Sequence, residues 1–317
     1  MPAIVEHPAP KGGARRAAEG AFRDVLLIEN PHSGGGKSWE AEPFLDRLRE
    51  MGVKARHERP ATPEEARALL AETKASAVAV AGGDDTLNPL VEGLVKRQLP
   101  LLVLPAGTAN DFARSLDMPE DPAELAELLH SGDIAEVDVG YANGKPFLNA
   151  ASIGMTNTVS RLQDKDRKRQ WGVLSYAISA VEAGRTSRAF QARFEGGGGP
   201  RHLRCIQLLV GNGRFYGGGM TVHADATLTD GLLHLYAVVP RSLFGMAALL
   251  PFLKFGRTDL APEVLCDAGR EIDIDTVPRR SVFADGEEIT QTPVRFRVAP
   301  RALKVIVPKP APTEIRT

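Results

Sequence analysis

Cysteine is almost missing from this chain. Cys205 and Cys266 are the only two in 317 residues, far apart and with no Cys-x-x-Cys pair. That excludes a disulfide scaffold and a zinc-thiolate cluster, and it fits a reducing cytoplasm. The seven histidines show no metal-ligand spacing, and His202 and His234 read as ordinary strand residues. An excess of either charge is lacking too: 39 Lys and Arg stand against 40 Asp and Glu. No polyanion-binding surface is implied, so nucleic acid is not expected as a partner. No apolar run is long enough to span a bilayer, because the most apolar segment, Leu243 to Phe255, is short and contains Pro251. The first twenty residues lack the apolar centre of a signal peptide and read as a flexible tail. Membrane contact is therefore expected to be peripheral, on the inner face. There are no internal repeats.

What is present is enough apolar residue, 43%, for ordinary cores, in a length that suggests ~2 domains. The chain is organised around residues 78–88. Val78-Ala79-Val80-Ala81 is a buried-strand pattern that enters Gly82-Gly83, then Asp84-Asp85, then Thr86, Leu87 and Asn88 as the pattern turns helical. A strand that stops in glycines and restarts as a helix presents bare N–H groups and a helix N-terminus at one point, which favours anions. Asp84 at the rim is placed to hold Mg²⁺ or its waters against phosphate oxygens. A tight Gly-Gly turn without a ligand is the plainer alternative.

Two further segments share this layout. Asp24 to Ile28 is an apolar run that enters a glycine-rich loop at Glu29-Asn30-Pro31-His32-Ser33-Gly34, with a helix predicted from Trp39 to Met51. Gly36-Lys37-Ser38 superficially suggests a P-loop, but Pro31 stands where the leading glycine is needed. Pro100 to Leu104 enters Pro105-Ala106-Gly107-Thr108-Ala109-Asn110-Asp111. Helices are predicted from Thr62-Pro63 to about Thr73, from Pro89 to Lys96 and from Asp121 to His130. Strands that alternate with helices imply an open parallel sheet, with ligands collected at the carboxyl ends of its strands.

A strand follows from Ile134 to Val139, and the texture then changes. Runs at Phe147–Ile153, Ala189–Phe194, Leu203–Val210, Leu232–Val239, Glu271–Ile274, Ser281–Phe283 and Val294–Val298 read as antiparallel strands. Helices are expected at Trp171–Ala183 and Ser242–Phe255, and a last strand at Ala302–Val307. The fold class expected is α/β plus β: an open parallel α/β domain over 21–144, joined by a returning strand at 300–308, and an antiparallel β-sandwich over 145–299. Residues 1–20 and 309–317 are expected to be tails.

Taken together, these loops resemble the diacylglycerol kinase catalytic-domain family, which includes small bacterial lipid kinases and the sphingosine and ceramide kinases. Asn30-Pro31-His32-Ser33-Gly34 is similar to its Asn-Pro-x-Ser-Gly loop. Gly82-Gly83-Asp84-Asp85-Thr86 matches its Gly-Gly-Asp-Gly-Thr signature at four of five positions. Leu104 to Ala113 looks like its third motif. Gly211-Asn212-Gly213 through Met220, Asp230-Gly231-Leu232 and Asp285-Gly286-Glu287 follow its pattern in the second half. The resemblance implies an ATP- and Mg²⁺-dependent kinase acting on a lipid hydroxyl, with the second domain supplying much of the acceptor site. Asn30, Pro31, Ser33, Gly34, Gly82, Gly83, Asp84, Asp85, Thr86, Asn88, Gly107, Thr108, Asn110 and Asp111 would form the nucleotide side. Glu287 would be the base, with Asp285 close behind it. A structural Mg²⁺ would sit on Asp230 and the carbonyls of Thr227 and Leu232; an Asp-Gly hairpin turn is the alternative there. Asp111 either joins the metal network beside Asp84 or caps the helix that follows.

Asp85 departs from the family, which has glycine there, and puts a carboxylate where phosphates are expected. An altered donor, such as pyrophosphate in place of ATP, is the consequence to test. Pro89 replaces the usual acid after Asn88, and a threonine near the nucleotide is replaced around Pro60. Rival readings are a kinase with a soluble acceptor, like the NAD kinases, and a non-catalytic lipid-binding protein. The basic run Lys165 to Arg169 before Trp171 is a candidate membrane contact, with a solvated helix start as the alternative. A homodimer is left open.

Overall fold

The structure, a computed structural model, describes residues 15–16, 22–31, 33, 39–154, 189–216, 220–221, 226–239 and 263–309. Gly34, the Gly36-Lys37-Ser38 segment, the basic run at 165–169 and both expected helices at 171–183 and 242–255 lie outside the described residues.

The first half runs β1 (Arg15–Arg16), β2 (Asp24–Glu29), α1 (Ala41–Glu50), β3 (Lys54–Glu58), α2 (Pro63–Glu72), β4 (Ala77–Gly82), α3 (Asp84–Arg97), β5 (Leu101–Pro105), α4 (Asp111–Ser115), α5 (Pro122–Ser131) and β6 (Asp133–Ala142). β5, β4, β2 and β3 lie side by side in that order, all parallel. β4 at the centre is buried along its whole length. Its alternate side chains explain why: Val78 and Val80 face Leu70, Leu90, Val91 and Phe112, while Ala77, Ala79 and Ala81 face Phe44, Leu48, Leu125 and Leu129. Helices α2, α3 and α4 therefore cover one face and α1 and α5 the other, the three-layer solution for a parallel sheet. β3, with sequence Lys-Ala-Arg-His-Glu, carries no apolar signal because it is the edge.

Capping follows the sequence in α2, where the Thr62 hydroxyl accepts the N–H of Glu65 at 3.2 Å. It departs from it in α3, which begins at Asp84 rather than Pro89. Proline there removes only the N–H that would reach the Asp85 carbonyl, and Asp85 is exposed.

The second half runs β7 (Lys145–Phe147), β8 (Ala150–Gly154), β9 (Phe190–Gly196), β10 (Gly199–Cys205), β11 (Gln207–Gly211), β12 (Phe215–Tyr216), β13 (Met220–Thr221), β14 (Leu233–Val238), β15 (Val264–Gly269), β16 (Glu271–Val277), β17 (Ser281–Ala284), β18 (Glu287–Gln291) and β19 (Val294–Val307). One sheet has the order β15-β14-β11-β8-β17-β18, and β10, β9 and β16 extend the large sheet through β19. Phe194, Ile272 and Phe296 from that sheet pack against Leu208, Leu235 and Val282 from the other, the core of a β-sandwich.

β19 joins the two halves. The strands expected at 294–298 and 302–307 are one, antiparallel to β16 from Val294 to Arg297 and to β6 from Phe296 to Val307, and parallel to β5 at Val305. Its register slips between Ala299 and Leu303, where Arg301 adopts φ 53°. The Asp138 carboxylate fixes this bulge by accepting the Arg301 N–H at 2.8 Å. No helix among the described residues is long and apolar enough to cross a membrane.

Candidate active site

Register brings the three nucleotide loops together. Glu29 of β2 lies opposite Ala81, and Gly82 lies opposite Pro105, so β2, β4 and β5 end side by side. Asn30 donates its backbone N–H to the Ala81 carbonyl at 3.0 Å, and its side-chain amide to the Thr86 hydroxyl at 2.9 Å. Ser33 turns back onto the Asn30 carbonyl at 3.1 Å, and Pro31 and Thr108 are exposed at the mouth. Asn110, at φ 52°, closes a reciprocal pair with the Gly107 N–H and carbonyl, each 2.9 Å.

The glycines have a second use besides room for phosphate. A Cβ on Gly107 would lie 2.4 Å from Gly83 Cα, so the two turns pack backbone to backbone. A Cβ on Gly83 would lie 2.8 Å from Asp85 Oδ1. The Asp85 carboxylate is folded back over that turn and accepts the Thr86 N–H at 2.9 Å.

Asp84 reaches across the cleft. Its Oδ2 accepts the Asp111 N–H at 3.0 Å and its Oδ1 the Phe112 N–H at 3.1 Å. Asp84, from another loop, thus takes the first two N–H groups of α4. Asp84 Oδ1 also accepts the Asn149 side-chain amide at 2.9 Å. Asn149 sits where the strand expected at 147–153 is broken, between β7 and β8.

Asp285 faces it from the second half. Asp285 and Gly286 are the two central residues of the β17–β18 hairpin, at φ 45° and 96°, the backbone of a type I′ turn. The carboxylate points inward and accepts N–H groups from Leu148 at 2.8 Å, Asn149 at 3.1 Å and Ala150 at 3.1 Å. Burial, and then the negative charge of Asp84, push it up to about 6 against those bonds and one from Asn88. Asn88, one helical turn beyond Asp84, keeps a buried Oδ1 without a partner among the described residues. Glu287, two residues on, pairs with Ala284 across the hairpin and has an exposed side chain.

Thr227, Asp230 and Leu232 also come together, through different atoms from those expected. The Asp230 carboxylate accepts the N–H groups of Thr227 at 3.1 Å and Leu232 at 2.8 Å, and His234 Nε2 lies 2.9 Å away. These are the contacts of the hydrogen-bonded turn given above as the alternative. His234 is therefore part of this cluster rather than an ordinary strand residue. Asp138 braces it by accepting the Gly231 N–H at 2.7 Å, and burial pushes that carboxyl up to about 6.

Residues 24–142 match the diacylglycerol kinase catalytic domain. Residues 149–307 match the YegS C-terminal NAD kinase beta sandwich-like domain. The chain belongs to the diacylglycerol kinase catalytic-domain family. It is 30% identical over 295 residues, 91% of this chain and 95% of the relative, to a Pseudomonas aeruginosa protein named "Probable lipid kinase YegS-like". It is 28% identical over 232 residues, 73% of this chain and 76% of the relative, to a diacylglycerol kinase of Staphylococcus carnosus. A crystal structure of a diacylglycerol kinase from Bacillus anthracis superposes with a TM-score of 0.71 at 25% identity, covering 91% of this chain and 98% of that one. Membership of this family makes the chain a kinase.

Sequence reasoning missed Asn149. A lone amide inside the apolar run Phe147-Leu148-Asn149-Ala150 was the available signal, since a buried polar side chain in a strand needs a partner. Asn212 was read only as part of a motif. Its side-chain amide ties the Asp138 carbonyl at 3.0 Å to the Leu148 carbonyl at 2.9 Å, holding the broken strand in place.

Proposed function

We propose that this chain is an ATP- and Mg²⁺-dependent lipid kinase, transferring the γ-phosphoryl group to a lipid hydroxyl such as that of diacylglycerol. The observation that carries the reading is the meeting of Asp84 and Asp285, one from each half, through Asn149 at the shared mouth of three glycine-containing loops. The loops fit a nucleotide: Asn30, Thr86, Gly107 and Asn110 hold them open, and α3 begins at Asp84 directly after Gly82-Gly83, with its N-terminus at their mouth. The donors fit a hard divalent cation, because Asp84 keeps acceptor capacity on Oδ2 and Asn88 Oδ1 is buried and unpartnered among the described residues. Mg²⁺, when bound, neutralises charge that develops on the phosphates.

Glu287 is the better placed base. Asp285 already accepts several N–H groups and is enclosed, whereas Glu287 is free to take the proton of an incoming hydroxyl as its oxygen attacks phosphorus. Asp285 shapes the hairpin that presents Glu287 and supplies negative charge behind it. The lipid is reached by peripheral contact from the inner membrane face.

A second reading is favoured by one observation. Asp85 Oδ1 lies over Gly83, where phosphate would approach, which supports an altered donor such as pyrophosphate. The test is phosphoryl transfer with ATP and with pyrophosphate, offering diacylglycerol in mixed micelles or NAD in solution as acceptor. Label from ATP in diacylglycerol supports the first reading. Label in NAD, or from pyrophosphate alone, replaces it.

A further inference from the structure

We propose that Asn149 is a positioning residue that fixes the spacing of the Asp84 and Asp285 carboxylates, bringing the phosphate turn and the acceptor side of the cleft into register. It rests on the phosphoryl-transfer reading above. Asn149 is 4% exposed and engaged through three different groups. Its backbone N–H goes to Asp285 Oδ1 at 3.1 Å, its carbonyl accepts the Asn212 N–H at 2.8 Å, and its side-chain amide goes to Asp84 Oδ1 at 2.9 Å. The two backbone bonds hold the strand break together with the Asn212 side chain. The side-chain bond does something else: it places a neutral donor between two like charges from different halves of the chain.

An unpaired Asp84 would turn away from Asp285, because like carboxylates repel. It would then carry with it the Asp111 and Phe112 N–H groups that it holds. Asparagine is the residue that satisfies Asp84 without adding charge or neutralising the site. Aspartate at 149 is the same size, but it would lose the donor and add a third negative charge. Packing and positioning therefore predict opposite rankings for two variants.

The test compares Asn149→Ala with Asn149→Asp. Positioning predicts a fall in kcat of about 10–100-fold for alanine and a larger one for aspartate, with KM for ATP and lipid changed less than about threefold. A packing role predicts the reverse ranking, since aspartate fills the space that alanine leaves empty. A second arm needs no turnover. In ligand-free protein, amide hydrogen exchange in Asn149→Ala should rise at Asp111 and Phe112 while the β4 and β5 amides stay as in wild type. If either variant does not fold, the other decides alone, and a kcat within about threefold of wild type overturns the proposal. Unchanged exchange at 111–112 in a folded variant overturns it as well. An inactive wild type that still shows the local exchange change would sink the kinase reading and leave the positioning intact.

Discussion

Replacing Asp285 with asparagine should change how stability depends on pH. The carboxyl rises from an ordinary 3.8 to about 6 because burial and Asp84 disfavour its ionised form. That rise corresponds to about 3 kcal/mol. In the unfolded chain the group ionises near 3.8, while in the folded chain it keeps its proton to about 6. Stability is thus fully present below the lower value, lost as pH rises between the two, and flat above. From pH 7.5 down to 5, wild type should gain about 1 kcal/mol from this group, and Asp285→Asn should not. The absolute stability of the variant is harder to fix. An amide oxygen replaces a carboxylate that accepts from Leu148, Asn149 and Ala150, and the NH₂ faces a donor, costing about 1–3 kcal/mol. The pH difference is free of that offset. Urea unfolding of both proteins, in EDTA, at half-unit steps from pH 5 to 7.5 gives it directly. Parallel curves would show that the Asp285 carboxyl is not strained in the folded state.

Three other expectations follow from the same geometry. Glu287→Gln should lower kcat by about 10²–10⁴-fold and leave the urea midpoint unchanged, because the side chain is exposed; near-normal turnover would remove it as the base. Gly107→Ala forces a Cβ to within 2.4 Å of Gly83 Cα and should destabilise by about 1–3 kcal/mol in the same urea assay, while also weakening the thermal stabilisation given by ATP. Asp85→Gly removes the carboxylate over Gly83 and should raise the rate with ATP relative to pyrophosphate; equal ATP rates in both proteins would dispose of the altered-donor reading.

Much of the fold could be read from local pattern. The strands β2, β4 and β5 are continuous apolar runs because both faces are covered, and the glycine-containing loops after them mark the sheet's ligand-binding edge. Edge strands were harder. β3 is polar, and β15 and β18 lie at the margins of their sheet, where burial no longer dictates the side chains. The joining of 294–298 and 302–307 into one strand depends on Asp138, 163 positions from Arg301, so no local signal carries it. The site divides in the same way. Gly82-Gly83-Asp84, Gly107 to Asn110 and Asp285 to Glu287 are dense local motifs, whereas Asn149 acts through contacts with Asp84 and Asp285, 65 and 136 positions away. A contact of that kind is visible only after the chain has folded.

The most direct test of the central claim is to incubate the protein with γ-labelled ATP, Mg²⁺ and a total lipid extract, and to separate the organic phase. The expected result is a single labelled phospholipid band, absent with Glu287→Gln. Label confined to soluble acceptors, or a labelled band of equal strength from Glu287→Gln, would contradict it.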